Sequence, residues 1–276
     1  NEPSEQRAAA IAMHSARFQA SLNISEGPLL RAAHFALGDP ERGRFLLIIH
    51  HIAVDGVSWR LLIEEIESVY LSLKEGRQPS LGAKTTSYRM WAGRLAEYAR
   101  SEALRRSLSF WVGESAKPVA ALPSERGDCP NLERDARSVK SCLTSEETRA
   151  LLQQVPSAYR TQINDVLITA LIRALQQWTG GEAFRIDMEG HGREDLFEDV
   201  DVSRTVGWFT TIFPVRLELP TGLAEGPALQ SVKEQLRRIP DRGMSHGLLR
   251  YVCEDTQIRD ALSRAQRSNL LFNYLG

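Results

Sequence analysis

Two adjacent histidines, His50 and His51, close the apolar run "RFLLIIHH", and Asp55 and Gly56 follow within five residues. Imidazole and carboxylate groups set so close can pass protons or bind a metal. On a strand, successive side chains point to opposite faces, so the two rings are not expected to serve one small centre. That weighs against a zinc or iron site built on this pair. The natural division sends one ring into the core and the other into a cavity. Asp55 is then placed to orient a ring or to pair with a buried arginine, and Gly56 supplies a turn that bulkier residues resist. The competing reading is a strand end with two hydrogen-bonded histidines and no chemistry.

Three further stretches carry reactive or polar side chains. In "AFRIDMEGHGRED", Phe184, Ile186 and Met188 alternate with Arg185, Asp187 and Glu189, so Glu189 should leave a strand on its polar face. Gly190 and Gly192 predict a tight turn around His191, followed by Arg193. A carboxylate beside glycines is also ordinary turn chemistry. The run "SRTVGWFTTIFPV" is apolar on both faces and reads as a fully buried strand, which makes Trp208 and Phe209 core residues rather than a ligand platform. In "FNYLG", Asn273 and Tyr274 are polar positions in an otherwise apolar strand, and need partners if buried or a substrate if they line a cavity.

The elements that must position these groups follow from periodicity. "RAAHFALG" and "RFLLIIHH" read as strands joined by the turn signal "DPERG". From Val57 the apolar period becomes helical and runs until Gly76 and Pro79 stop it. A second long helix is expected over Tyr88 to Trp111. The proline-, glycine- and charge-rich segment at 114–137 reads as a connection between an N-terminal lobe (1–113) and a C-terminal lobe (138–276). Beyond it the pattern predicts a strand "ARSVKSCL", helices over Glu146–Gln154 and Thr161–Trp178, and the strand "AFRIDMEG". The long apolar strand, a helix over Ala228–Arg238, a helix around "GLLRYVCE" and a closing strand "NLLFNYLG" follow. Strands and helices mix in both halves, so the fold class is α/β.

Composition narrows the function. The chain has 276 residues, 42% hydrophobic and 25% charged, which suits an ordinary globular core. A formal net charge of -1 gives no reason to expect nucleic acid or an anionic membrane as partner. No apolar run approaches the roughly 18–20 residues of a membrane span, and the first residues are too polar for a secretory signal. Cys129, Cys142 and Cys253 are odd in number, far apart and without zinc spacing, so a reducing cytoplasm is expected. The chain lacks an initiator methionine and stops at Gly276 inside an expected strand, and reads as an excerpt.

"HHIAVDGVSWR", "EGHGRE", "RTVGWFT" and "FNYLG", in that order, resemble the epimerization domains of nonribosomal peptide synthetases. These are members of the condensation-domain superfamily with its chloramphenicol-acetyltransferase-like fold. "HHIAVDG" alone marks only the superfamily. The similarity also takes in "SEGPLLRAAHF" and "IPDRGMSHGLLRY". It departs at Ser245 and His246, where the family usually has glycine and tyrosine, and the family's early proline-glutamine element is absent.

The resemblance implies two α/β lobes with the active site at their interface. It further implies inversion of the α-carbon of an aminoacyl or peptidyl thioester carried on the phosphopantetheine arm of a peptidyl carrier protein, within neighbouring synthetase modules. Removing an α-proton beside a thioester gives an enolate, and inversion needs reprotonation from the other face. One acid–base group on each side meets that need. By resemblance these are His51, of a type that titrates at about 6.5 in free peptides, and Glu189, of a type whose pKa burial raises in catalytic sites. Asp55 is assigned to holding its loop, through an arginine such as Arg193. His50, Gly56, His191, Trp208, Asn273 and Tyr274 are supporting or substrate-proximal. No phosphate loop or pyridoxal lysine is present, so no resident cofactor is expected. Condensation, the peptide-bond-forming job of sister domains, is the alternative. Glu189 within "EGHGRE" argues against it, and the intact His51, Asp55, Gly56 and Glu189 argue against a degenerate carrier-docking module.

Overall fold

The computed structural model describes residues 4–38, 43–123, 132–264 and 268–275. The turn signal at 39–42, Cys129 and Gly276 lie outside the described residues. The chain forms two compact units, one of residues 1–91 with 197–209 and the other of 92–196 with 210–276.

In the first unit, helix α1 (Ser4–Ala20) precedes strand β1 (Leu30–Ala36), which pairs antiparallel with β2 (Gly43–Ile49) from Leu30↔Ile49 to Ala36↔Gly43. β2 stops at Ile49, two residues before the expected end. His50 already adopts a cap conformation, and His51–Ala53 form a single 3-10 turn. The rule of opposite strand faces therefore does not apply to the histidine pair. Helix α2 (Gly56–Lys74) starts at the expected change of period and is capped by Asp55. The buried residues Val54, Trp91, Val202 and Phe209 form the centre of this unit. Trp91 meets Phe197 with ring centroids 5.6 Å apart.

The second unit holds most of α3 (Tyr88–Tyr98), then α4 (Glu102–Arg105) and α5 (Leu108–Ala116). The sequence pattern predicts one helix here. Serines interrupt it, because a serine hydroxyl competes for local backbone groups. Ser101 Oγ donates to Tyr98 O and accepts from Leu104 N, and Ser107 Oγ donates to Leu104 O. The first residues of the proline-rich stretch are packed against this unit. Ala120 N donates to Ala183 O, and Arg216 donates to Pro118 O. The expected strand at 136–143 does not form. Those residues are exposed, with Val139 98% exposed, and alternation without a partner strand does not hold a ladder.

Helices α6 (Ser145–Arg149), α7 (Val155–Tyr159) and α8 (Ile163–Thr179) follow. Along α8, Ile168, Ile172 and Leu175 recur at helical spacing and are buried, and left-handed Gly180 ends it. Strand β3 (Ala183–Gly190) matches the sequence expectation residue for residue. It lies between antiparallel β4 (Thr211–Glu218) and parallel β5 (Leu271–Phe272). The long apolar strand expected from Val206 begins only at Thr211, and Pro214 is tolerated because β4 is an edge of this sheet. Helix α9 (Glu225–Arg237), the short α10 (Met244–Gly247), a π-helical turn at 248–252 and α11 (Thr256–Ser263) complete the unit. Its core includes Leu104, Trp111, Ile172, Phe184, Leu217 and Leu249.

Candidate functional site

The site residues of the first unit are organised by Asp55. This residue is 3% exposed; its Oδ1 accepts Ser58 N at 2.7 Å and Oδ2 accepts Phe209 N at 3.2 Å. An aspartate N-cap completes the first turn of α2 and favours the positive end of the helix dipole. Gly56 is the first helical residue. Its φ is not positive, and a Cβ there would meet nothing within 4 Å, so the turn does not require glycine, contrary to the sequence expectation.

His50 Nδ1 accepts Ile52 N at 3.2 Å, while the His50 backbone N–H donates to Leu29 O at 2.8 Å. His50 is thus tied to local backbone. His51 is exposed, and its ring meets Trp208 edge-on with centroids 5.5 Å apart at 64°. Trp208 is 43% exposed and not a core residue as the sequence suggested, whereas Phe209 is buried as expected.

Two residues that the motif reading passed over hold the Trp208 segment. Ser58, fully buried, donates to Gly207 O at 3.0 Å and accepts Gly207 N at 3.1 Å. Tyr88 OH donates to Trp208 O at 2.7 Å. Burial, together with the nearby Asp55 charge, raises the Tyr88 pKa above the ordinary phenol value, which keeps the hydroxyl a donor. The sequence signal for Ser58 was its place in the first turn of α2, inside the "HHIAVDGVSWR" string.

In the second unit, Glu189 leaves β3 on the polar face, half-buried and opposite Ile212. Gly190 lies close to its neighbours on β4: a Cβ there would stand 3.0 Å from Thr211 Oγ1 and 3.3 Å from a ring carbon of Phe213. Gly192 takes a positive φ of 66°, as the expected turn demands. Within that turn His191 Nδ1 accepts Arg193 N at 3.0 Å, and its Nε2 lies 3.4 Å from Glu194. The Glu194 side chain, only 10% exposed, also pairs with Arg242 at 3.2 Å, a contact not legible from spacing. Asn273 and Tyr274 follow the two-residue β5 and are exposed, so of the two alternatives the buried one is not found. β5 pairs Asp187↔Leu271 and Met188↔Phe272.

The loop with the departures is also defined. Asp241 and Arg242 have positive φ values of 47° and 48°, and Gly243 has 95°. Ser245 Oγ accepts Trp111 Nε1 at 3.0 Å and donates to Pro240 O at 3.1 Å. His246 is 4% exposed, edge-on to Trp111 at 5.1 Å, and its Nδ1 has no hydrogen-bond partner among the described residues. Burial, then the Arg250 charge, lowers its pKa to about 4. Among the described residues no group of three or more His, Cys, Asp or Glu could hold a metal ion, and no helix is long and apolar enough to cross a membrane.

This architecture and these motif positions belong to a known class. A model of the condensation-domain family matches residues 1–271, and the chain belongs to that family. It is 48% identical over 260 residues to one of the linear gramicidin synthase proteins of Brevibacillus parabrevis, covering 94% of this chain and 3% of that protein. Bacitracin synthase 2 of Bacillus licheniformis is 40% identical over 258 residues, covering 94% and 10%. Among solved structures, the epimerization domain from the third module of tyrocidine synthetase B superposes with a TM-score of 0.85 at 36% identity, covering 97% of this chain and 59% of that one. The first condensation domain of the calcium-dependent antibiotic synthetase gives 0.63 at 24%, covering 84% and 51%, which shows the shared fold alone. The chain thus spans a small part of the synthases it matches and over half of the domains. The expected α/β condensation-type fold is the one observed.

Proposed function

We propose that this chain is the larger part of an epimerization domain of a nonribosomal peptide synthetase. Its substrate is an aminoacyl or peptidyl thioester on the phosphopantetheine arm of a carrier protein, and its product is the α-epimer. The observation that carries this reading is the position of Glu189. It sits at the end of β3, in "EGHGRE", on a chain whose likeness to a solved epimerization domain is far stronger than to a condensation domain of the same fold.

In this reading His51 and Glu189 are the two acid–base groups. One removes the α-proton, leaving the electron pair in an enolate of the thioester carbonyl, and the other returns a proton to the opposite face. Asp55 acts structurally by fixing the loop after His51, and Asn273 and Tyr274 are assigned to approaching the substrate or positioning Glu189. Peptide-bond formation is the second reading, supported by the family match itself.

The test is to load the full protein's own carrier domain with an L-aminoacyl or L-peptidyl arm and to analyse the chirality of the released product in deuterated water. A mixture of epimers with deuterium at the α-carbon is expected. Retention of the L-configuration without exchange, together with a new peptide bond when a second loaded carrier is supplied, would establish condensation instead.

A further inference from the structure

Residues 207–209 are gripped at three consecutive positions by side chains of the first unit. Ser58 Oγ bonds both the N–H and the C=O of Gly207. Tyr88 OH bonds the C=O of Trp208, and Asp55 bonds the N–H of Phe209. The Tyr88 ring lies against Gly207 so closely that a Cβ there would stand 2.3 Å from Tyr88 Cδ2. The same ring meets Phe209 edge-on at 5.1 Å. Gly207 and Phe209 therefore lie against packed structure, and Trp208 between them is turned outward with its indole in edge-type contact with the His51 ring.

His51 needs such a neighbour. It stands on a one-turn 3-10 element and is exposed, so its own backbone leaves the imidazole several rotamers. A base that must meet one hydrogen of one carbon loses rate when its ring wanders. We infer that Ser58 and Tyr88 are positioning residues: through the backbone of 207–209 they fix the Trp208 indole, and the indole fixes the His51 ring. The inference rests on the acid–base role proposed for His51, and it assigns Ser58 and Tyr88 no contact with substrate.

Tyr88→Phe is the discriminating variant, because it keeps the ring packing on Gly207 and Phe209 and removes only the bond to Trp208 O. In the full-length protein, labelled with 13C at histidine Cε1 and with the His51 signal assigned by its loss in His51→Gln, Tyr88→Phe should move the His51 resonance. It should move in the direction seen with Trp208→Leu, where the indole ring current is absent, while the His191 resonance stays. The turnover number for α-proton exchange should fall roughly tenfold or more, with KM for the loaded carrier unchanged. Tyr70→Phe, which removes a hydroxyl from the exposed face of α2, should change neither. Ser58→Ala should behave as Tyr88→Phe if it folds, but the outcome is decided by Tyr88→Phe and Trp208→Leu.

A folded Tyr88→Phe protein with an unmoved His51 resonance overturns the inference, and so does an unmoved resonance in Trp208→Leu. A protein that makes peptide bonds instead of inverting its substrate would overturn the proposed function only. The resonance shift would still decide the positioning claim.

Discussion

Asp55 Oδ2 accepts the backbone N–H of Phe209 at 3.2 Å, from a residue 154 positions further along the chain, while Oδ1 of the same carboxylate caps α2 through Ser58 N at 2.7 Å. Asp55→Ala removes a helix cap and strands a buried N–H. Those losses cost about 1 kcal/mol and about 1–3 kcal/mol respectively, so the stability of the variant should be lower by roughly 2–4 kcal/mol. Asp55→Asn, which keeps one carboxamide oxygen as acceptor, should lose less. Denaturant unfolding of both proteins checks the order. Equal stability of Asp55→Ala and wild type, with activity lost, would move Asp55 from structure to chemistry.

The two proposed acid–base groups make separable predictions. His51→Ala should slow α-proton exchange by roughly 10²–10⁴-fold without loss of fold, whereas His50→Ala, whose ring holds Ile52 N, should act through local geometry and stability. Glu189→Gln keeps size and much of the hydrogen bonding but cannot trade a proton, and should stop net inversion from both L and D thioesters. Exchange should survive from the one enantiomer whose α-hydrogen faces His51. Deuterium wash-in followed separately from pure L and pure D substrates reads this asymmetry. Inversion by Glu189→Gln at the wild-type rate would sink the two-group mechanism.

Two glycines of the motifs should respond in opposite ways. Gly243 has φ of 95°, and a Cβ on it would lie 2.1 Å from a ring carbon of Phe213, so Gly243→Ala should cost roughly 3 kcal/mol or more. Gly56→Ala adds a methyl into open space at a helical position and should be neutral or stabilising by about 0.4–1 kcal/mol. Thermal unfolding of the pair measures both. A strongly destabilised Gly56→Ala would mean that the start of α2 demands glycine after all.

His246 predicts a pH dependence. Its folded-state pKa of about 4 lies below the ordinary histidine value of 6.5, so the unfolded chain takes up the proton first. Its contribution is therefore complete above about pH 6.5 and is lost as pH falls through that value toward 4. At about 1.4 kcal/mol per pH unit the full swing is on the order of 3 kcal/mol. Urea unfolding between pH 7.5 and 4.5 should show this slope in the wild type and a shallower one in His246→Phe, which retains an aromatic edge against Trp111. Equal slopes would show that the imidazole is not the titrating group.

What was legible in the sequence was local. The alternation of Phe184, Ile186 and Met188 defined β3 to the residue and put Glu189 on its polar face, and the change of period after Asp55 placed α2. The quoted motifs pointed to the right fold. Where the reading failed at Trp208, and where contacts went unseen, the deciding partner is distant in the chain. Trp208 reads as core because its neighbours are apolar, yet Ser58, Tyr88 and Asp55 turn the backbone so that only the flanking residues go inward. The pairing of Trp111 with Ser245 spans 134 positions, and that of Glu194 with Arg242 joins two separate loops. The helix expected over 88–111 fails for a nearer reason, serine hydroxyls that bond backward to carbonyls at 98 and 104.

The segment at 197–209 completes the first unit but is encoded more than a hundred positions after the rest of it. Nascent chains grow at about 5–20 residues per second. Trp91 and α2 would then wait on the order of ten seconds for Phe197, Arg204 and Phe209 to leave the ribosome. Through that interval Ser58 and Glu65 of α2 and the indole of Trp91 lack their final neighbours. The first unit is thus begun early and finished late in synthesis, with the second unit's residues 92–196 made in between.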